Sequence, residues 1–218
     1  MNRPAAGFLL AVATLALGSC TPWTVRPIDS ASESLAAGGA LNPAAYVDSI
    51  WSSKLIPAIL ASAVDARTLL DAVAASPSAA REKFGRREAG GPVYFIVKGE
   101  GRVLSADTRS RNGLLFVDVP PFDRRADVVI QIGPVLRGTA LRDATGIVRF
   151  TDFINQLQFA DVANEMNGRV LQTVLAGLTP SALENRIVSF AGAATLDDAA
   201  QPPIRDLIPV RLTVEAAQ

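Results

Sequence analysis

Asp152, Asp161 and Glu165 are the residues of this chain best suited to acid–base chemistry, because two carboxylates a few ångströms apart can cleave a glycosidic bond with no other catalytic group. Asp161 and Glu165 stand four apart, on one face of any helix that contains them. Like charges at that spacing are commoner on solvated faces than in active sites, and Asp152 reads more simply as the cap of the same helix. A second polar set comprises Arg137, Thr139, Arg142, Asp143, Asn155, Gln156 and Gln158. Guanidinium forks and planar amides of this kind recognise hydroxyls and carboxylates, so Arg137, Thr139, Arg142, Asp143, Asn155 and Gln158 are the expected binding residues. The same side chains can also pair with one another and satisfy backbone groups where a strand, a turn and a helix meet, which is the simpler reading.

One absence removes most other chemistry. The chain has no histidine, so Ser-His-Asp and Cys-His catalysis lose their base and histidine-ligated zinc or iron sites cannot form. No G-x-S-x-G, phosphate-cradling or calcium-loop motif is present, and Gly99-Glu100-Gly101 is too short for a nucleotide fingerprint. No catalytic residue, metal ligand or cofactor is assigned. The chain therefore reads as a binding protein, with a carboxylate-based cell-wall or sugar-processing hydrolase and a ligand-free structural envelope protein as the alternatives.

Cys20 is the single cysteine. It follows Arg3, the apolar run Ala5 to Leu17, and Leu17-Gly18-Ser19, which together make a charged start, a hydrophobic segment too short to span a bilayer, and a lipobox-like cleavage site. Residues 1–19 are thus a lipoprotein signal peptide and Cys20 the lipidated residue, so the membrane is the first partner, through the acyl chains. Thr21 rather than aspartate follows, which favours the outer over the inner membrane where a host has both. Formal net charge is zero, which removes the field expected of a nucleic-acid binder.

The elements that must position these residues fall in three stretches. Residues 20–41 mix Pro, Ser, Gly and Ala without a period and read as a tether. Residues 42–91 read as a small helical domain: Asn42-Pro43 opens a helix that Pro57 interrupts, Asp65 to Ala75 gives a second, and Ser76-Pro77 caps a third that ends at Gly85. Residues 92–218 change to alternation, with strands at Val93 to Val103, Leu115 to Val117, Val128 to Ile132, Arg186 to Leu196 and Leu207 to Val214. A helical pattern from Asp152 onward interrupts the third and fourth, and Phe150, Phe153 and Phe159 within it are expected in the core. Three strands, a helical insert and two strands are the order of an α+β fold with an OB-like five-stranded β-barrel domain. Gly99 and Gly101 suit the bend of its first strand, and a small β-sandwich is the competing fold.

The stretches AAYVDSIWSSKLIPAI, KFGRREAGG, VKGEGRV, VVIQIGPVLRGTALRDA and FTDFINQLQFADVANEMN resemble a family of bacterial periplasmic lipoproteins known only as domain of unknown function 2291, over nearly the whole mature chain. The resemblance implies the same two-part architecture. It also implies, from genes often found beside those of sugar ABC transporters, a transporter component or a carbohydrate as partner. It carries no catalytic residues. Relatives often have an Asp/Gly-rich turn after the second strand; Pro120 to Arg125 stands there instead, so no metal role is carried over.

Overall fold

The Asn42 side chain accepts a hydrogen bond from the Ala45 N–H at 3.1 Å, and Pro43 follows it, so helix α1 (Pro43–Ile50) begins where the sequence predicts. The computed structural model describes residues 41–87 and 91–215; the signal peptide, Cys20 and the tether lie outside the described residues. Pro57 does not interrupt the helix as expected. The chain widens into a π-helical stretch, Trp51–Leu55, and continues as α2 (Ile56–Ser62) with Pro57 in its first turn. The wider turn accommodates a residue that lacks an N–H and would crowd the preceding turn. Asp65 caps α3 (Ala66–Ala75) by accepting from the N–H groups of Arg67 and Thr68, and Ser76 caps α4 (Pro77–Phe84), which stops at Gly85.

The five long strands come in the predicted order: β3 (Val93–Asp107), β4 (Leu114–Asp118), β5 (Val128–Gln131), β6 (Ile187–Leu196) and β7 (Ile204–Val214). Two short strands, β1 (Val64–Asp65) and β2 (Gly85–Arg87), add to β3 and were not expected. Pairing runs β3 to β4 to β5 to β7 to β6 and back to β3, antiparallel except for β5 with β7. The circuit closes because β3 serves two partners: Tyr94 to Arg102 pair with β6, and Arg102 to Asp107 with β4. Gly99 and Gly101 lie where the strand passes from one partner to the other. A Cβ on Gly101 would stand 2.7 Å from the Asp118 carbonyl oxygen, so only glycine lets β4 come this close.

Helix α5 (Ala140–Asp143) and the long helix α6 (Gln156–Thr173) lie between the third and fourth long strands, as the OB-like order requires. The cap of α6 is Asn155 and not Asp152, which instead closes a separate 3₁₀ turn, Phe150–Asp152. The buried stripe of α6 is Phe159, Val162, Ala163, Met166, Asn167 and Val170. A single apolar core joins Val47, Leu55, Ile59 and Leu69 of the helices to Phe95, Ile130, Phe190 and Leu207 of the strands. Residues Leu41–Gln218 accordingly form one unit, and the expected boundary between 91 and 92 does not separate two cores. Helices of seven to ten residues cannot bury enough apolar surface among themselves, so they close over the sheet.

Candidate functional site

Five of the six expected binding residues have their side chains held by interactions inside the protein. Arg142 and Asp143, at 8% and 5% exposure, form a bidentate pair, Nε to Oδ1 at 2.6 Å and Nη2 to Oδ2 at 3.0 Å. The third guanidinium nitrogen donates to the Phe159 carbonyl at 2.9 Å, and the guanidinium carbon lies 3.4 Å from the Phe159 ring centroid. Thr139 donates its hydroxyl to Asp143 Oδ2 at 2.6 Å and is 3.0 Å from the Tyr94 hydroxyl. The network therefore ties α5 to α6 and to β3. Asn155 accepts the Gln158 N–H at 2.9 Å as the α6 cap.

Gln158 in turn accepts the Ile154 N–H at 3.2 Å. Arg137 is gripped by its backbone: its N–H donates to Gln131 Oε1 at 2.7 Å and its carbonyl accepts from Gln131 Nε2 at 2.9 Å. Its side chain stands apart from the Arg142 pair in the sense that only it of the six is exposed. The three candidate carboxylates do not share a described cleft. Asp152 Oδ2 accepts the Arg149 N–H at 3.3 Å, and Glu165 lies 3.6 Å from Arg169.

A cleft of about 660 Å³ opens elsewhere, over the bend of β3. Its floor and walls come from Lys98, Gly99 and Glu100 of β3, Ser189 and Phe190 of β6, and Arg211 and Thr213 of β7. Asp65 and Arg67 at the start of α3, with Val119 and Pro120 after β4, complete the rim. Register places the charges in two ranks, Lys98–Ala191–Arg211 and Glu100–Ser189–Thr213. Gly99 brings Phe190 and Ala66 close: a Cβ there would meet them at 3.1 and 3.2 Å.

Within the cleft the charges differ in availability. Arg67 is paired with Asp71, and this hydrogen bond holds the Asp71 carboxyl below the usual carboxylate range. Ser189 reaches Glu100 and Glu215 at 3.3 and 3.4 Å. Lys98 and Arg211 are exposed and make no ion pair among the described residues. Beside the rim, burial pushes the Asp127 carboxyl up, and neighbouring Asp118 and Asp123 add to this, against the Val119 N–H that donates to it at 2.9 Å. Asp118 is 1% exposed; its Oδ2 accepts the Arg124 N–H and its Oδ1 has no hydrogen-bond partner. Among the described residues no three acidic side chains are arranged to hold a metal ion.

Such a surface can recognise a polar ligand through both signs of charge and through hydroxyl groups. Sequence reasoning missed it, although Lys98, Glu100 and Arg102 alternate with glycines and so point to one side of a strand.

Residues 10–213 match the family described as "Predicted periplasmic lipoprotein (DUF2291)". The crystal structure of an OB-fold protein from Thermotoga maritima is similar to the chain, with a TM-score of 0.63 and 21% sequence identity, over 80% of this chain and 99% of that one. At that identity the likeness shows the fold. No curated protein matches.

Proposed function

Because the chain belongs to the DUF2291 family of predicted periplasmic lipoproteins, and is thereby exported and membrane-associated, we propose that it is a binding module rather than an enzyme. In this reading acyl chains on Cys20 anchor the protein, in the outer membrane where there are two, and the cleft over β3 is its recognition site. The ligand is a carbohydrate or a polar surface of a sugar ABC-transporter component. The supporting observation is the cleft itself: Lys98 and Arg211 face solvent without an ion-pair partner among the described residues, beside Glu100, Ser189 and Thr213. Buried networks consume their polar groups, whereas this surface leaves Lys98 and Arg211 available.

The test is a thermal-shift titration of the lipidated protein with neutral and anionic sugars. A ligand present at a hundred times its Kd stabilises the fold by about 2.7 kcal/mol. At least one sugar should raise Tm, and the Lys98→Ser/Arg211→Ser double variant should lose that rise. If no sugar acts but a transporter subunit crosslinks to these two positions in native membranes, the protein partner is selected. If neither occurs, the binding reading fails.

A further inference from the structure

The large apolar side chains most exposed among the described residues are Ile154 at 73% and Leu157 at 68%, and Phe150 at 43% joins them within eight residues of chain. Phe122, exposed elsewhere, is covered on one face by the Arg102 guanidinium at 4.8 Å; among the described residues no cation covers the three in this patch. The expectation that Phe150, Phe153 and Phe159 are all core is thus corrected at Phe150. The patch sits on a firm base, since Phe150 and Phe153 pack on Phe159 at centroid distances of 5.5 and 5.4 Å. The flanking Arg149 and Asp152 pair at 3.4 Å, Asp161 follows Leu157 by one helical turn, and polar Asn155, Gln156 and Gln158 stand around the patch.

Phe153 also packs edge-on against Tyr46 at 5.4 Å, and the Tyr46 N–H donates to the Asn42 carbonyl one turn earlier. The patch therefore adjoins the start of the described body at Leu41. Twenty residues separate that point from Cys20, and no chain of that length reaches beyond about 70 Å. The polypeptide that leads to Cys20 thus joins the body beside the patch.

We propose that Phe150, Ile154 and Leu157 form a second membrane contact, seated in the interface of the bilayer that holds the Cys20 lipid, which orients the body on the membrane. This rests on the lipoprotein reading. Because Arg149, the one cation in residues 149–161, is paired with Asp152, the patch offers anionic lipid no free positive charge; the contact is driven by apolar insertion and should need neither anionic lipid nor low salt.

The mature lipidated protein is reconstituted in phosphatidylcholine vesicles as Leu157→Cys or, for control, Gln172→Cys at the far end of α6. Acylation of Cys20 leaves each new thiol as the sole labelling site for an environment-sensitive dye. Brominated lipid should quench the dye at 157 several-fold more than at 172, equally with and without anionic lipid or high salt, and Ile154→Ser should weaken that quenching. Equal quenching at both positions, in protein that sediments with the vesicles, overturns the membrane contact alone. Shielding at 157 that appears only as protein density rises makes the occupant a second copy and also overturns it. Protein that does not sediment with vesicles at all overturns the lipoprotein reading, and the contact falls with it.

Discussion

The Arg142–Asp143–Thr139–Tyr94 network and the cleft over β3 are both rich in charge and hydroxyl groups, yet they have opposite roles. In the first, every guanidinium nitrogen faces an acceptor, and Arg142, Asp143 and Tyr94 are buried with Thr139 half-buried beside them. In the second, Lys98 and Arg211 remain exposed to solvent. The difference follows from chain geometry. Arg142, Asp143 and Thr139 stand within five residues at a junction of elements and satisfy one another before anything else can reach them. Lys98 and Arg211 come from β3 and β7, which are brought to one cleft only when the strand circuit closes, and neither has an ion-pair partner among the described residues.

Removing one partner of the buried pair should give the largest effect and test this contrast most directly. Asp143→Ala strands the Arg142 charge without its carboxylate and should destabilise the fold by roughly 3–5 kcal/mol. Denaturant unfolding measures this as a lower midpoint at unchanged slope. A loss below about 1 kcal/mol would mean that the network is not structural, and the contrast would break.

The next effect concerns the bend that creates the cleft. Gly101→Ala places a methyl group against the Asp118 carbonyl, a backbone atom that cannot move aside without disturbing the β3–β4 pairing. The expected cost is about 1–3 kcal/mol, read as a fall in Tm. A neutral result would show that the two strands part more easily here than their spacing implies.

How much of this was legible in the sequence depends on how local the determining contacts are. Asn42, Asp65 and Ser76 cap helices through donors two or three residues away, so they could be placed from type and spacing alone. The five longer strands carried alternation or, at Val128 to Ile132, a β-branched run closed by Gly133-Pro134, whereas β1 and β2, two and three residues long, carried neither. Pro57 misled because a π-helical turn absorbs it, and Asp152 because its carboxylate turns back to Arg149 and leaves Asn155 to cap α6. The polar set at 137–158 was recognisable as a set, and its structural alternative fits where most of its members lie. The cleft was not legible, because no local period brings Arg67, Lys98 and Arg211 together.

A smaller effect should appear with pH at the rim. The Asp127 carboxyl is raised in the folded protein, chiefly by burial, so the folded state holds its proton to higher pH than the unfolded chain does. Its ionisation therefore opposes folding: the penalty is absent below the unfolded carboxylate range and develops as pH rises through that range and past the folded value. Asp127→Asn should gain stability over the wild type on raising the pH across this window, since an amide oxygen can still accept the Val119 N–H. Asp107 provides the opposite sign. Its hydrogen bonds from Arg109 hold the carboxyl down at about 2, so its contribution is present above the ordinary range and fades as pH falls toward 2. Unfolding curves of the wild type, Asp127→Asn and Asp107→Asn from pH 2 to 7 separate the two, and a common slope in the two variants would contradict the assignment of burial to one and pairing to the other.

The smallest expected change in stability belongs to the cleft cations, and it sharpens the contrast most. Lys98 and Arg211 are exposed and unpaired among the described residues, so replacing both with serine removes no buried contact and leaves no stranded charge. The double variant should unfold within about 0.5 kcal/mol of the wild type. Any ligand-induced rise in Tm should nevertheless disappear, because that rise measures differential binding to the folded state and not the strength of the fold. A substantial loss of intrinsic stability would instead place these cations in a structural network like that around Arg142, and the cleft would cease to differ in kind from the buried pair.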